Sequence, residues 1–455
     1  MSGLLLTYYG DDLTGSTDSM DALELGGIPT VLFLEPPTPE QLASFPRARA
    51  VGLARVSRTM TPDEMDAALT AAFSSQKGLR APLPHYTVCS TFDSSPEIGS
   101  IGRATEIGIK VFGIPLVPVM VGAPKLKRYV VFGNHFATVG DITYRLDRHP
   151  TMSVHPITPM DESDLRLHLG RQTDLPIGLV DVRHLSESDR ELQARLKQMT
   201  VAGTKIVILD TLDEQHMQKV GRLIWELGQE KATFVVGSSG VEFALTAYWG
   251  STGIAKETGK FNSPGPVDRI VAISGSAAPM AAAQIRHALE HGFTGIRLDS
   301  AALIDSQAAG QAREQIVQRA LVILQSGGSV ILYSALGPDD PHIPRTKERM
   351  AALGIPPRRV GERLGKQQGL ILKDILLKTG IRRCAVAGGD TSGNVLKQLD
   401  AYVLEFLAPL GTATPLCRAG SHDATLDGLE VALKGGQLGE IDFFERVLQG
   451  RIFKS

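Results

Sequence analysis

One pattern recurs along this 455-residue chain and limits what it can fold into: a short apolar run, a turn of small or acidic residues, then a helical stretch. Residues 4–9 run into Gly10-Asp11-Asp12-Leu13-Thr14-Gly15, a helical pattern follows over 16–25, and Gly26-Gly27 ends it before residues 30–34 resume as a strand. Glycine just past a helix is a common stop. A helix between two strands makes a crossover, which favours parallel neighbours. The design returns where residues 233–236 meet Gly237-Ser238-Ser239-Gly240 and where residues 270–273 meet Ser274-Gly275-Ser276. It returns again where residues 385–387 meet Gly388-Gly389-Asp390-Thr391-Ser392-Gly393. Residues 250–268 are rich in Gly, Ser and Pro without hydrophobic period, which reads as a linker. The expected fold is α/β with two domains, 1–255 and 268–455, joined by 256–267. Each would be a mostly parallel sheet flanked by helices, with the active site in the cleft between them.

Composition narrows the class. A net charge of −2 with 5% aromatic residues gives neither the basic face nor the stacking rings of a nucleic-acid binder. No run reaches the roughly 18 apolar residues of a membrane span, and the first residues lack a signal peptide's basic start. Cys89, Cys384 and Cys417 are far apart and form no metal spacing, so a reducing cytoplasm is the expected compartment. The expected partner is a small molecule, with no nucleic acid and no membrane; a homodimer stays open.

The turns carry the chemistry. Small residues let a ligand approach the backbone, and a helix start offers unpaired N–H groups and a positive dipole end, which suits phosphate or carboxylate. Packing helices on a sheet would explain any single such turn, but the glycines and hydroxyls of 388–393 favour phosphate there. Asp11 and Asp12 are different in kind. Helix capping explains one carboxylate; the other could take a proton from a hydroxyl or help hold a metal. Arg55 and Arg58 follow the strand at 50–53, where a guanidinium could clamp a small acid's carboxylate. Residues 89–95 follow another expected strand, at 86–89, and are dense in hydroxyls. His135, His149 and His155 lack ligand spacing and read as structural or surface residues. There is no phosphate-loop lysine motif, no serine nucleophile elbow and no H-E-x-x-H.

Taken in order, these motifs resemble a known family. Asp11-Asp12-Leu13-Thr14-Gly15 with Gly26-Gly27, then Val236-Gly237-Ser238-Ser239-Gly240, resembles the amino-terminal half of the four-carbon acid sugar kinases. Ser274-Gly275-Ser276 with Ala282-Ala283-Gln284-Ile285, the 388–393 turn, and Lys434-Gly435-Gly436-Gln437-Leu438-Gly439 are similar to that family's nucleotide-binding half. The resemblance implies ATP-dependent phosphorylation of the terminal hydroxyl of threonate, erythronate or 3-oxo-tetronate, with Mg²⁺. It implies that Asp11, Asp12, Arg55, Arg58, Ser90, Thr91 and Asp93 meet the sugar acid. It implies that Ser276, Gly388, Gly389, Asp390, Thr391 and Gly435 meet ATP. Of the pair, Asp12 is expected to be the base and Asp11 to support the turn.

Two departures stand out. The family's D-S-T-L-R-G-N is here Cys89-Ser90-Thr91-Phe92-Asp93-Ser94-Ser95, which inverts the local charge, and Gly435 replaces a usual Ser. The first change leaves the identity of the acid open and makes the branch acting on the branched acid 3-oxo-isoapionate a candidate beside the four-carbon acids. The competing readings are a dinucleotide-dependent oxidoreductase, weakened because no G-x-G-x-x-G follows the first strand, and a non-catalytic sugar-acid binding protein.

Overall fold

The computed structural model describes residues 3–155, 157–255, 261–356 and 359–453, apart from the side chain of Asp390. The chain divides into two units, Met1–Gly259 and Lys260–Ser455.

In the first unit the apolar runs become strands β1 (Leu6–Gly10), β2 (Thr30–Phe33), β3 (Ala50–Ala54), β4 (Leu83–Thr87) and β5 (Val117–Met120). A hairpin excursion follows as β6 (Arg128–Val131), β7 (Asn134–Val139) and β8 (Ile142–Arg145), before β9 (Ile177–Val180), β10 (Ile206–Leu209) and β11 (Val235–Gly237). Within this unit the order is β2-β3-β1-β4-β11-β5-β10-β9, and every pairing is parallel. Parallel strands are covered on both faces, which is why they read as continuous apolar runs; β1, β4 and β10 are buried at every position. Phe73, Tyr86, Phe92, Val119 and Phe234 anchor the core. The chain leaves β1 toward β2 on one side and leaves β4 toward the other. The loops after β1 and β4 therefore flank a switch point, the place where open α/β sheets bind ligands.

The second unit repeats the plan. Its strands are β12 (Val271–Ser274), β13 (Phe293–Arg297), β14 (Ser329–Tyr333), β15 (Arg383–Ala387), β16 (Ala401–Pro409), β17 (Pro415–Ser421) and β18 (Leu429–Lys434). They run β13-β14-β12-β15-β18-β17-β16, parallel as far as β18 and antiparallel beyond it. Here the switch point lies between β12 and β15. Ile270, Ala272, Ile285, Ile331, Ala385 and Phe443 pack the core beside it.

Several boundaries differ from the sequence expectation. The strand expected at 86–89 is β4, ending at Thr87, so Cys89 belongs to the following loop. Helix Gly240–Thr252 runs into the stretch read as linker, and residues 256–260 lie outside the described residues. The six-residue turn at 388–393 contracts to Gly388 alone, because the helix starts at Gly389. Asp390, Thr391 and Ser392 are first-turn helix residues. Among the described residues, no helix is long and apolar enough to cross a membrane.

Candidate active site

Gly10 ends β1 because helix Leu13–Leu25 comes down directly on it: a Cβ there would stand 1.8 Å from Ser16 Oγ. The two carboxylates that follow diverge. Asp12 caps the helix, accepting from the Gly15 N–H at 2.6 Å, and its other oxygen accepts from Arg58 Nη1 at 3.1 Å. Asp11 is buried, its N–H donates to the Thr87 carbonyl, and its Oδ1 has no partner. Burial, then the neighbouring charge of Asp12, push its carboxyl well above the usual range against the pull of Arg58. Asp11 thus carries a raised carboxyl in a buried site, while Asp12 is held between a backbone donor and a cation.

Arg58 links this turn to the loop after β4. Its Nη2 donates to Asp93 Oδ2 at 2.5 Å, and Asp93 also accepts from Thr91 Oγ1 at 2.6 Å and Thr158 Oγ1 at 3.0 Å. Burial alone would raise the Asp93 carboxyl; the Arg58 charge and the Thr91 and Arg58 hydrogen bonds outweigh it and hold the group at about 2. Cys89 is half-buried and contacts Thr91 Oγ1 at 3.0 Å, and burial pushes its thiol up to about 11. Ser90 is half-buried beside them. The structure thereby joins Asp11, Asp12, Arg58, Thr91 and Asp93. Arg55 stands apart from this network: it is exposed, and its side chain donates to the Leu34 carbonyl at 3.4 Å.

In the second unit, Ser274, Ala387 and Lys434 stand level across three adjacent parallel strands. The loops that follow must therefore meet. A Cβ on Gly275 would fall 2.0 Å from Thr391 Oγ1, and one on Gly436 would fall 2.2 Å from Ser276 Oγ. Gly388 has φ +123°, a region that L side chains rarely adopt, and its N–H donates to the Lys434 carbonyl. Ser276, Gly388, Thr391 and Gly435 are thus brought to one sheet edge, where the first turn of helix Gly389–Gln398 also begins. Its N–H groups and dipole suit a phosphate there. Gly389 and Asp390 open that helix.

Three residues gain a weight that the sequence reading did not give them. Lys434 is buried with an unpartnered Nζ over the Phe443 ring, and burial lowers its amine to about 7; a lysine ending an apolar strand was the available signal. Arg128 opens β6 with a buried, unpartnered Nε, and His135 is fully buried with both ring nitrogens unpartnered. For metals, the unpartnered oxygen of Asp11 beside Asp12 offers the hard donors Mg²⁺ prefers. His287, His291 and Glu445 also cluster within 4.8 Å, but two of these three groups are imidazoles and suit a softer ion.

Two domain models match the chain. A sugar-binding N-terminal domain covers residues 6–245 and a nucleotide-binding C-terminal domain covers residues 271–444. A 3-oxo-isoapionate kinase of Paraburkholderia graminis is 45% identical across 99% of this chain and 95% of its own. A 3-oxo-tetronate kinase of Pseudomonas fluorescens is 29% identical across 98% of this chain and 96% of its own. A crystal structure from Salmonella typhimurium LT2, carrying a tRNA synthase description, covers 97% of this chain and 98% of that one. It superposes with a TM-score of 0.77 at 24% identity, a likeness of fold alone.

Proposed function

The chain belongs to the four-carbon acid sugar kinase family, and from that premise we propose that it transfers the γ-phosphoryl group of ATP to the terminal hydroxyl of 3-oxo-isoapionate. The first unit holds the sugar acid and the second the nucleotide. The observation that carries the reading is the repeated switch point: one lined with side-chain charge, the other with glycines and helix-start N–H groups. Neither a dinucleotide oxidoreductase nor a simple binding protein needs both. The choice of the branched acid over 3-oxo-tetronate is supported by the 45% against 29% identities and by the Cys89 to Asp93 departure.

In this mechanism Asp12 accepts the hydroxyl proton as the substrate oxygen bonds to the γ-phosphorus. The bond from that phosphorus to the β–γ bridging oxygen breaks, and ADP leaves. Asp11 supports the turn, its backbone N–H tying it to the end of β4. Arg58 orients Asp12 and holds Asp93 ionised beside it. Ser276, Gly388, Gly389, Thr391 and Gly435 surround the phosphates, where close backbone approach and N–H donors replace the lysine of a phosphate loop. Mg²⁺, when bound, neutralises phosphate charge, and Asp11 and Asp12 are the oxygen donors suited to it. Phosphoryl transfer asks the protein mainly for positioning and charge balance. Coupled ADP release over a panel of C4 and branched C5 sugar acids tests the assignment; release independent of every acid would refute it.

A further inference from the structure

A sugar acid brings a carboxylate, and the two arginines expected to receive it stand differently. Arg58 is committed to Asp12 and Asp93, and Arg55 is exposed. Arg128 differs from both. Its Nη1 is fixed by three backbone carbonyls, those of Leu126 at 3.1 Å, Lys127 at 3.2 Å and Thr138 at 3.4 Å. That leaves Nε, on the side that grips a carboxylate through two parallel hydrogen bonds, buried and without an acceptor among the described residues. No Asp or Glu of the described residues forms an ion pair with it. A desolvated guanidinium without an anion is costly. Three carbonyls orient this one but leave its charge unbalanced.

Its hairpin neighbour brings no anion either. Arg128 pairs with Ala137 and Val130 with His135 across β6 and β7, so Arg128 and His135 share one face of the hairpin. Burial, reinforced by the Arg128 charge, drives the His135 imidazole down to about 3 and keeps it neutral, with one N–H to donate. The hairpin hangs from the end of β5 through the Ala123–Arg128 bridge. Next to β5, the Ser238 N–H donates to the Met120 carbonyl, and β11 continues to β4 and its Cys89 loop. Cys89 lies within electrostatic reach of both Arg58 and Arg128. The sheet edge therefore has an acidic side at Asp11, Asp12 and Asp93, and a cationic side at Arg128.

We propose that Arg128, through its Nε–Nη2 edge and with His135 beside it, is the subsite for the substrate's carboxylate. The inference rests on the kinase reading and fixes how the acid lies: carboxylate toward the hairpin, reacting hydroxyl toward Asp12. It also accounts for the inverted motif, because the arginine the family carries near position 93 has a substitute on another element.

The test uses the full-length protein with 3-oxo-isoapionate and its uncharged primary amide, read by ADP release and by calorimetric binding. The wild type should favour the acid over the amide by roughly 10- to 150-fold, the scale of one charged hydrogen-bonding contact. Arg128→Gln should raise the KM for the acid by a similar factor, erase the preference and leave the KM for ATP unchanged. Arg128→Lys, which keeps the charge but loses the fork, should recover part of the loss, and it replaces the Gln variant should that fail to fold. An unchanged acid KM and an unchanged acid-to-amide preference in either folded variant would overturn the subsite. Calorimetric binding of the acid that depends on Arg128 but gives no ADP would keep the subsite and overturn the kinase reading.

Discussion

The two switch points solve one problem, holding a charged small molecule at a sheet edge, with opposite materials. In the first unit the work falls to side chains: Asp12, Arg58, Thr91 and Asp93 form a hydrogen-bonded charge network with Asp11 beside it. In the second it falls to the backbone, with Gly275, Gly388 and Gly436 keeping three loops close enough to share one edge. Under the proposed function, the difference follows from the ligands. A phosphate tail is served by N–H donors and close approach. A sugar acid must be told from its relatives by directed charge. A side-chain site can change specificity by substitution, whereas a backbone site tolerates little.

The sharpest way to break this comparison is Asp12→Asn. Losing a positioned general base typically costs roughly 10²–10⁴-fold in rate, so kcat should collapse while the KM for ATP holds; an active Asp12→Asn enzyme would remove the base from this turn. The matching probe of the backbone side is Gly388→Ala. Forcing a Cβ into that φ costs about 1–3 kcal/mol, and if the strain is relieved by displacing the loop, the KM for ATP should rise roughly 5- to 150-fold. The acid's KM should not move.

Asp93 gives a pH prediction. Its folded value of about 2 lies below the unfolded 3.8, so its contribution is present above about pH 4 and is lost as pH falls through 2. The expected size is about 2 kcal/mol. Denaturant melts should show the stability gap between wild type and Asp93→Asn closing as pH falls from about 4 to about 2; a pH-independent gap would contradict the ion pair. The smallest effect belongs to Arg55→Ala. An exposed side chain on a single backbone carbonyl should contribute within ~0.5 kcal/mol, so kcat/KM should stay within about threefold of wild type.

What the sequence disclosed followed the same division. Glycine-rich turns announce themselves because backbone geometry restricts which residues fit. Ser276, Gly388 and Gly435 were therefore legible, although the helix begins earlier than the composition of 388–393 suggested. Charge networks announce less. Asp11 and Asp12 were visible as a pair, but their separate roles depend on burial, which adjacency does not encode. Arg55 and Arg58 looked alike at three residues' spacing; only the short helical turn Ser57–Thr59 after β3 sends them different ways. Arg128 and His135 gave no local signal, since their common face arises from the register of β6 on β7.

The central claim is that this chain phosphorylates a sugar acid, and steady-state ADP release with 3-oxo-isoapionate, 3-oxo-tetronate, threonate and erythronate tests it most directly. The account predicts acid-dependent ADP formation with the highest kcat/KM for 3-oxo-isoapionate, and one phosphate on the terminal hydroxyl of the product by mass spectrometry and ³¹P NMR. ADP release at the same rate with and without every acid, or a product phosphorylated elsewhere, would contradict it.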